Sequence, residues 1–150
     1  MNREIFSLAK QTLAVDKLIL KSKSTTKRKK TKTTARRLTS NAEHTVVKNF
    51  IDCGNVEVET PLGRVDLETP YYIVEFKNYK TAKGALGQIL IYSHFIKKKK
   101  LIVLFGKGLS TWSKYPLFER LCIKYNVAVY KLCYVKQYSD LKNKLNNQLL

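Results

Sequence analysis

The chain has 150 residues, enough for one domain with a hydrophobic core. Its 29 Lys and Arg against 11 Asp and Glu give a formal charge of +18, far beyond what solubility needs, so a polyanionic partner such as nucleic acid is expected. No stretch reaches the roughly 20 continuous apolar residues of a membrane span and no charged start with an apolar signal core is present, which predicts an intracellular protein without a membrane partner.

Residues 2–20 place Ile5, Leu8, Ala9, Leu13 and Ile19 at helical spacing, a short amphipathic helix. Over residues 21–37 the composition turns to Lys, Arg, Thr and Ser with no apolar periodicity, which predicts a mobile basic arm. Lys27, Arg28, Lys29, Lys30, Arg36 and Arg37 are its candidate contacts to a phosphate backbone. Residues 1–38 therefore form an N-terminal extension and residues 39–150 the folded domain.

Ser40 or Asn41 can cap a helix whose apolar side carries Ala42, Val46, Val47, Phe50 and Ile51, ended by the Gly54 segment. Next, 55-NVEVET-60 alternates Val56 and Val58 against Glu57 and Glu59, as a half-buried strand does. After a turn at Pro61-Leu62-Gly63, residues 64–67 and 71–77 make two more strands joined through Pro70. Residues 81–96 read as a helix with Ala82, Ala85, Leu86, Ile89, Ser93 and Ile96 facing inward. Gly84 and Gly87 lower its helicity by about 1 kcal/mol each relative to Ala, which suggests close packing against the sheet. The apolar run 101-LIVLFG-106 fits an interior strand covered on both faces. Pro116 opens a helix to Tyr125, 127-VAVYKL-132 is a further buried strand, and Tyr138, Leu141, Leu145 and Leu149 mark a closing amphipathic helix. The order αβββαβαβα describes an α/β fold, a mixed central sheet flanked by helices.

Seven of the 11 acids fall in one window: Glu43, Asp52, Glu57, Glu59, Asp66, Glu68 and Glu75. Charges inside an apolar strand cost several kcal/mol unless something pairs with them. Alternation puts Glu75 and Lys77 on one face and Val74 and Phe76 on the other. A four-residue connection after Leu67 would set Leu67 opposite Tyr72 and Asp66 opposite Ile73, placing Asp66 diagonally across from Glu75 on the same face. Two carboxylates converging in this way, with the backbone carbonyl of Phe76, make a hard oxygen site suited to Mg²⁺ or Mn²⁺. Lys77 at its edge would orient water or neutralise developing charge. Cys53, Cys122 and Cys133 contain no CxxC pair and His44 and His94 stand apart, so neither a disulfide nor a zinc site is expected.

The series Gly63-Arg64-Val65-Asp66, Glu75-Phe76-Lys77 and 84-GALGQILIY-92 resembles the PD-(D/E)xK nuclease superfamily, with Val65 standing where that pattern has proline. The resemblance spans residues 41–132 and implies a restriction-endonuclease-like core. It implies that Asp66 and Glu75 ligate the metal, that Lys77 is the catalytic lysine, that Gln88 matches the glutamine many members place near the active site or substrate, and that Glu43 is the acid of the first core helix. Glu43 also suits a helix N-terminus on dipole grounds alone. Tyr92, one turn past Gln88, is a candidate DNA contact or a packing residue. Lys80, Lys83, the cluster at residues 97–100, Lys107 and Lys114 add positive charge to the same half. Trp112 anchors its loop or stacks on an unpaired base.

Two functions follow. One is a divalent-metal-dependent endodeoxyribonuclease, structure-specific like a junction resolvase or site-specific like a homing or restriction enzyme, acting on branched or duplex DNA as a homodimer. The other is a non-catalytic basic DNA-binding or architectural protein that keeps the nuclease-like fold.

Overall fold

The computed structural model describes residues 42–150. The N-terminal helix, the arm with Lys27, Arg28, Lys29, Lys30, Arg36 and Arg37, and the capping residues Ser40 and Asn41 lie outside the described residues. Helix α1 (Glu43–Val47) runs on into a 3-10 turn (Lys48–Phe50) and leads to strands β1 (Asn55–Thr60), β2 (Gly63–Glu68) and β3 (Tyr72–Asn78). Helix α2 (Ala82–Phe95), β4 (Lys99–Phe105), α3 (Tyr115–Lys124), β5 (Val127–Leu132) and α4 (Gln137–Asn146) follow. The element order is the one the hydrophobic periods predict. Spatial order in the sheet is β1-β2-β3-β4-β5, antiparallel from β1 to β3 and parallel from β3 to β5. The fold is thus α/β with a mixed sheet.

Period-two alternation divides the core between the two faces. Tyr72, Val74, Phe76, Leu101, Val103 and Phe105 pack with Val46 and Phe50 near α1 and with Leu141 and Leu145 of α4. Ile73, Ile102 and Leu104 pack with Ala85 and Ile89 of α2 and with Phe118 of α3. Residues 101–105 are buried throughout, because both faces of β4 are covered. Phe50 fixes the first helical segment to the sheet, its ring centroid 5.0 Å from Phe76 and 5.5 Å from Tyr138. The three cysteines form no disulfide; Cys53 and Cys122 are buried and Cys133 is half-buried. Among the described residues no helix is long and apolar enough to cross a membrane.

Several side chains differ from expectation. Ile51 and Leu149 are 63% and 67% exposed, because α1 tightens into its 3-10 turn before Ile51 and α4 ends at Asn146 before Leu149. On α2, Tyr92 is buried while Ser93 and Ile96 are only partly so. A Cβ on Gly63 would lie 2.7 Å from the Tyr92 hydroxyl, so the turn residue, at φ +134°, leaves room for that ring.

The α2 glycines are not packing residues. Both Gly84 and Gly87 are exposed, and a Cβ at either would meet nothing within 4 Å. Gly87→Ala is therefore expected to raise stability by about 1 kcal/mol, read as a higher urea midpoint at unchanged slope; no gain would show an unseen neighbour on that face.

Candidate active site

Thr69 sets the geometry of the acid pair. Its hydroxyl accepts the N–H groups of Tyr71 and Tyr72, and its own N–H donates to the Tyr72 carbonyl at 2.9 Å. Only Pro70 and Tyr71 remain as loop residues, so Leu67 pairs with Val74 and Glu68 with Ile73. The expected register was two residues away, a shift that preserves which face each side chain takes. Continued by one step, the observed register puts Asp66 directly opposite Glu75 rather than diagonal to it.

The ladder ends at that step. The Phe76 N–H donates to Asp66 Oδ2 at 2.8 Å instead of to a β2 carbonyl. In an extended strand the N–H and C=O of one residue face the same neighbour, so the Phe76 carbonyl faces the same gap. On the other side, Glu57 would oppose Asp66 in the β1–β2 register and has φ +51°, a left-handed backbone uncommon outside glycine. Val65 and Leu67, two residues apart, join different core clusters, so β2 turns over at Asp66. A strand bent from both sides delivers this carboxylate to its site.

Glu75 is 1% exposed, and no donor reaches either of its oxygens among the described residues; a proton held by the pair is shared with Asp66. Burial, and then the charge of Asp66 beside it, push its pKa up to about 8. Burial also raises Asp66, opposed by the Phe76 N–H and the Lys77 charge. For Lys77, burial acts to lower the pKa. The 3.0 Å bond from its Nζ to Glu43 Oε2 and the charges of Glu43, Asp66 and Glu75 outweigh that and hold the ammonium above its ordinary value. Lys77 is thus a firm cation.

Four of the residues singled out from sequence, Glu43, Asp66, Glu75 and Lys77, therefore form one electrostatic cluster. Glu43 and Asp66 line a cleft of about 530 Å³, which His44, Lys48 and Glu57 also border. Glu57 is tied to Arg64 at 3.2 Å. His44 and Lys48 reach the cleft by position alone, following Glu43 on the first helical segment. Gln88 is half-buried on α2, and no hydrogen bond joins it to the cluster. Tyr92 is 5% exposed and packs in the core beneath Gly63, the packing alternative of the two. Lys80 and Lys83 are exposed and border a separate groove.

Among the described residues no group of three or more His, Cys, Asp and Glu is arranged around a cation. Two carboxylates and a carbonyl are still a sufficient protein share for Mg²⁺, which usually keeps several waters and takes phosphate oxygens from its substrate. The buried oxygens of Glu75, reached by no donor, fit that role, since a cation would replace the hydration they have lost.

No family model matches the chain, and no solved structure matches it. Over 75 residues, 49% of its length, it is 41% identical to a protein of Acanthamoeba polyphaga mimivirus named as KilA-N domain-containing protein L33. A second mimivirus protein so named, R878, is 35% identical over 77 residues, and a third, L32, is 49% identical over 53. The matched regions cover 29%, 21% and 14% of those three proteins, so the chain spans less than a third of the curated relatives it matches.

Proposed function

We propose that this chain binds DNA and hydrolyses its phosphodiester backbone at the Asp66, Glu75 and Lys77 cluster, with Mg²⁺ or Mn²⁺. The observation that carries the reading is the buried carboxylate of Glu75, reached by no donor, directly beside a second carboxylate. A chain with no chemical use for that pair would be more stable with an apolar side chain at position 75.

A divalent ion there supplies Lewis acidity to a phosphoryl oxygen and a lowered pKa to a coordinated water. Asp66, Glu75 and the Phe76 carbonyl would hold it. Lys77, firmly protonated, is suited to neutralising charge on the phosphate rather than to taking a proton. Glu43 holds Lys77 through one of its three ammonium protons, which leaves the others for a phosphate. Outside the site, the net charge of +18 supplies affinity for the backbone. Cutting both strands of a duplex would take two copies, and a homodimer is part of the proposal.

Binding without cutting is the second reading. It fits the relatives' names better than cleavage does, because those names state a KilA-N domain and no reaction. One panel separates the two: supercoiled, linear, single-stranded and four-way-junction DNA, each with Mg²⁺, Mn²⁺ or EDTA, for wild type and Glu75→Ala. Metal-dependent cuts made by wild type alone support the first reading. Equal binding by both proteins with no cuts from either supports the second.

Deleting residues 1–37 is expected to weaken DNA binding and to flatten the slope of log affinity against log salt by about 3 or more, as the arm's phosphate contacts are lost. An unchanged slope would remove the arm from the interface.

A further inference from the structure

A second concavity, of about 720 Å³, lies between the start of α2 and α3 and plays no part in the acid cluster. Tyr79, Trp112, Leu117 and Leu121 supply its apolar surface. Leu117 and Leu121, one helical turn apart, are 65% and 44% exposed and give the groove an apolar wall. Trp112 is held by its neighbours, 5.5 Å from the Tyr79 ring and 6.0 Å from Phe118 between centroids, and stays partly exposed. Its loop closes on Tyr79 because Gly108, at φ +98°, has no side chain; a Cβ there would sit 3.0 Å from the tyrosine hydroxyl. At Gly84 the wall is bare backbone.

The rim is cationic. Lys80, Lys83 and Lys114 border the groove, all three are exposed, and no acidic residue lines it. An occupant must therefore carry negative charge around a flat apolar body. A second copy of the chain would bring the same lysines against themselves. Residues 21–37 of this chain are themselves strongly basic, and the apolar-spaced residues 2–20 are told apart by deleting residues 1–41. A nucleotide satisfies both demands, its base stacking on aromatic side chains and its phosphates meeting the lysines.

We infer that this groove takes an unpaired base of the DNA strand, with Lys80, Lys83 and Lys114 on the flanking phosphates. The inference rests on DNA being the partner proposed above and narrows the substrate to DNA with unpaired nucleotides. Tyr79 follows Lys77 by two residues, so the groove begins where β3 ends.

Trp112 is the single tryptophan of the chain, so its emission reports the groove directly. The full chain in EDTA is titrated with oligothymidylate or with a blunt-ended, fully paired duplex of equal length, anisotropy reporting total binding. Oligothymidylate is expected to quench Trp112 at roughly tenfold lower concentration than the duplex. Leu117→Asp with Leu121→Asp, both at exposed positions, should abolish the quench and weaken oligothymidylate binding by roughly tenfold while duplex affinity holds within twofold. Reversing the three lysines to glutamate should lower the single-strand salt slope by about 2.

Equal quenching by both ligands, or binding with a silent Trp112, overturns the inference. So does a dimer that Leu117→Asp dissociates, or a Trp112 shift on deleting residues 1–41 without DNA, since each names a different occupant. Because no cleavage is measured, the two proposals fail separately: quenching without cutting sinks only the nuclease, and metal-dependent cutting with a silent Trp112 sinks only the groove.

Discussion

Replacing Glu75 by glutamine is expected to lower metal-dependent cleavage by at least about a thousandfold while DNA affinity stays within about twofold, because the change removes one charge from the metal's ligand set and none from the basic surface. The same substitution should raise stability, and by more at higher pH. A carboxyl with a folded-state pKa of about 8 against an ordinary 4.5 keeps its proton in the native state after the unfolded chain has lost it. Between those values the unfolded state binds fewer protons, so wild-type stability falls as pH rises, by up to roughly 1 kcal/mol per pH unit. Asp66, also raised, acts in the same direction. Raised Lys77 contributes stability that is fully present below its ordinary pKa, so it does not tilt this window. Glutamine has no proton to lose. Urea denaturation in EDTA at pH 5, 6.5 and 8 should therefore show the gap between variant and wild type widening with pH. Adding Mg²⁺ should stabilise wild type most at pH 8 and leave the variant unchanged. A gap that stays constant with pH would mean that Glu75 is ionised and paired, and the metal site would lose its main support.

Gly54→Ala is expected to be the most damaging single methyl in the domain. A Cβ on Gly54 would come 2.0 Å from the Glu68 carbonyl oxygen and 3.0 Å from the Thr69 Cα, both backbone atoms that cannot swing aside. The neighbouring pair Asn55 with Glu68 begins the β1–β2 ladder, so relief of the clash must shift that hairpin. A loss of about 3 kcal/mol or more is expected, a large part of the 5–15 kcal/mol that holds a typical domain together. Displacing β2 would also carry Asp66 away from Glu75, so cleavage should fall even under conditions where the variant remains folded. Gly87→Ala, with open space around its Cβ, is the matched control. A Gly54→Ala protein with wild-type midpoint would show that the hairpin yields freely.

The sequence carried the architecture well, because periods of two and 3.6 residues survive any detail of loop geometry. It carried the acid pair for a subtler reason. Thr69 shortens the expected connection by two residues rather than one, and an even shift leaves Asp66 and Glu75 on one face. What it hid depends on neighbours distant in the chain. Glycines in α2 look the same whether they pack or face solvent, and the absence of atoms around Gly84 and Gly87 is visible only in three dimensions. The left-handed backbone of Glu57 breaks a perfectly alternating segment without any glycine to announce it. Glu43 was chosen by resemblance, but its bond to Lys77 spans 34 residues and no local pattern encodes it.

The short ladder between β2 and β3 joins two unlike halves. β1 and β2 pair along most of their length, and β3 pairs with β4 along all of its own, whereas β2 and β3 share only two paired positions. The two acids sit on either side of that seam, held together by only those two positions and the bond from the Phe76 N–H to Asp66. Warming would part them first, by a local opening that costs less than global melting. Heat inactivation of the site should therefore precede loss of the sheet, and a tether across the seam would protect chemistry more than it raises the melting point.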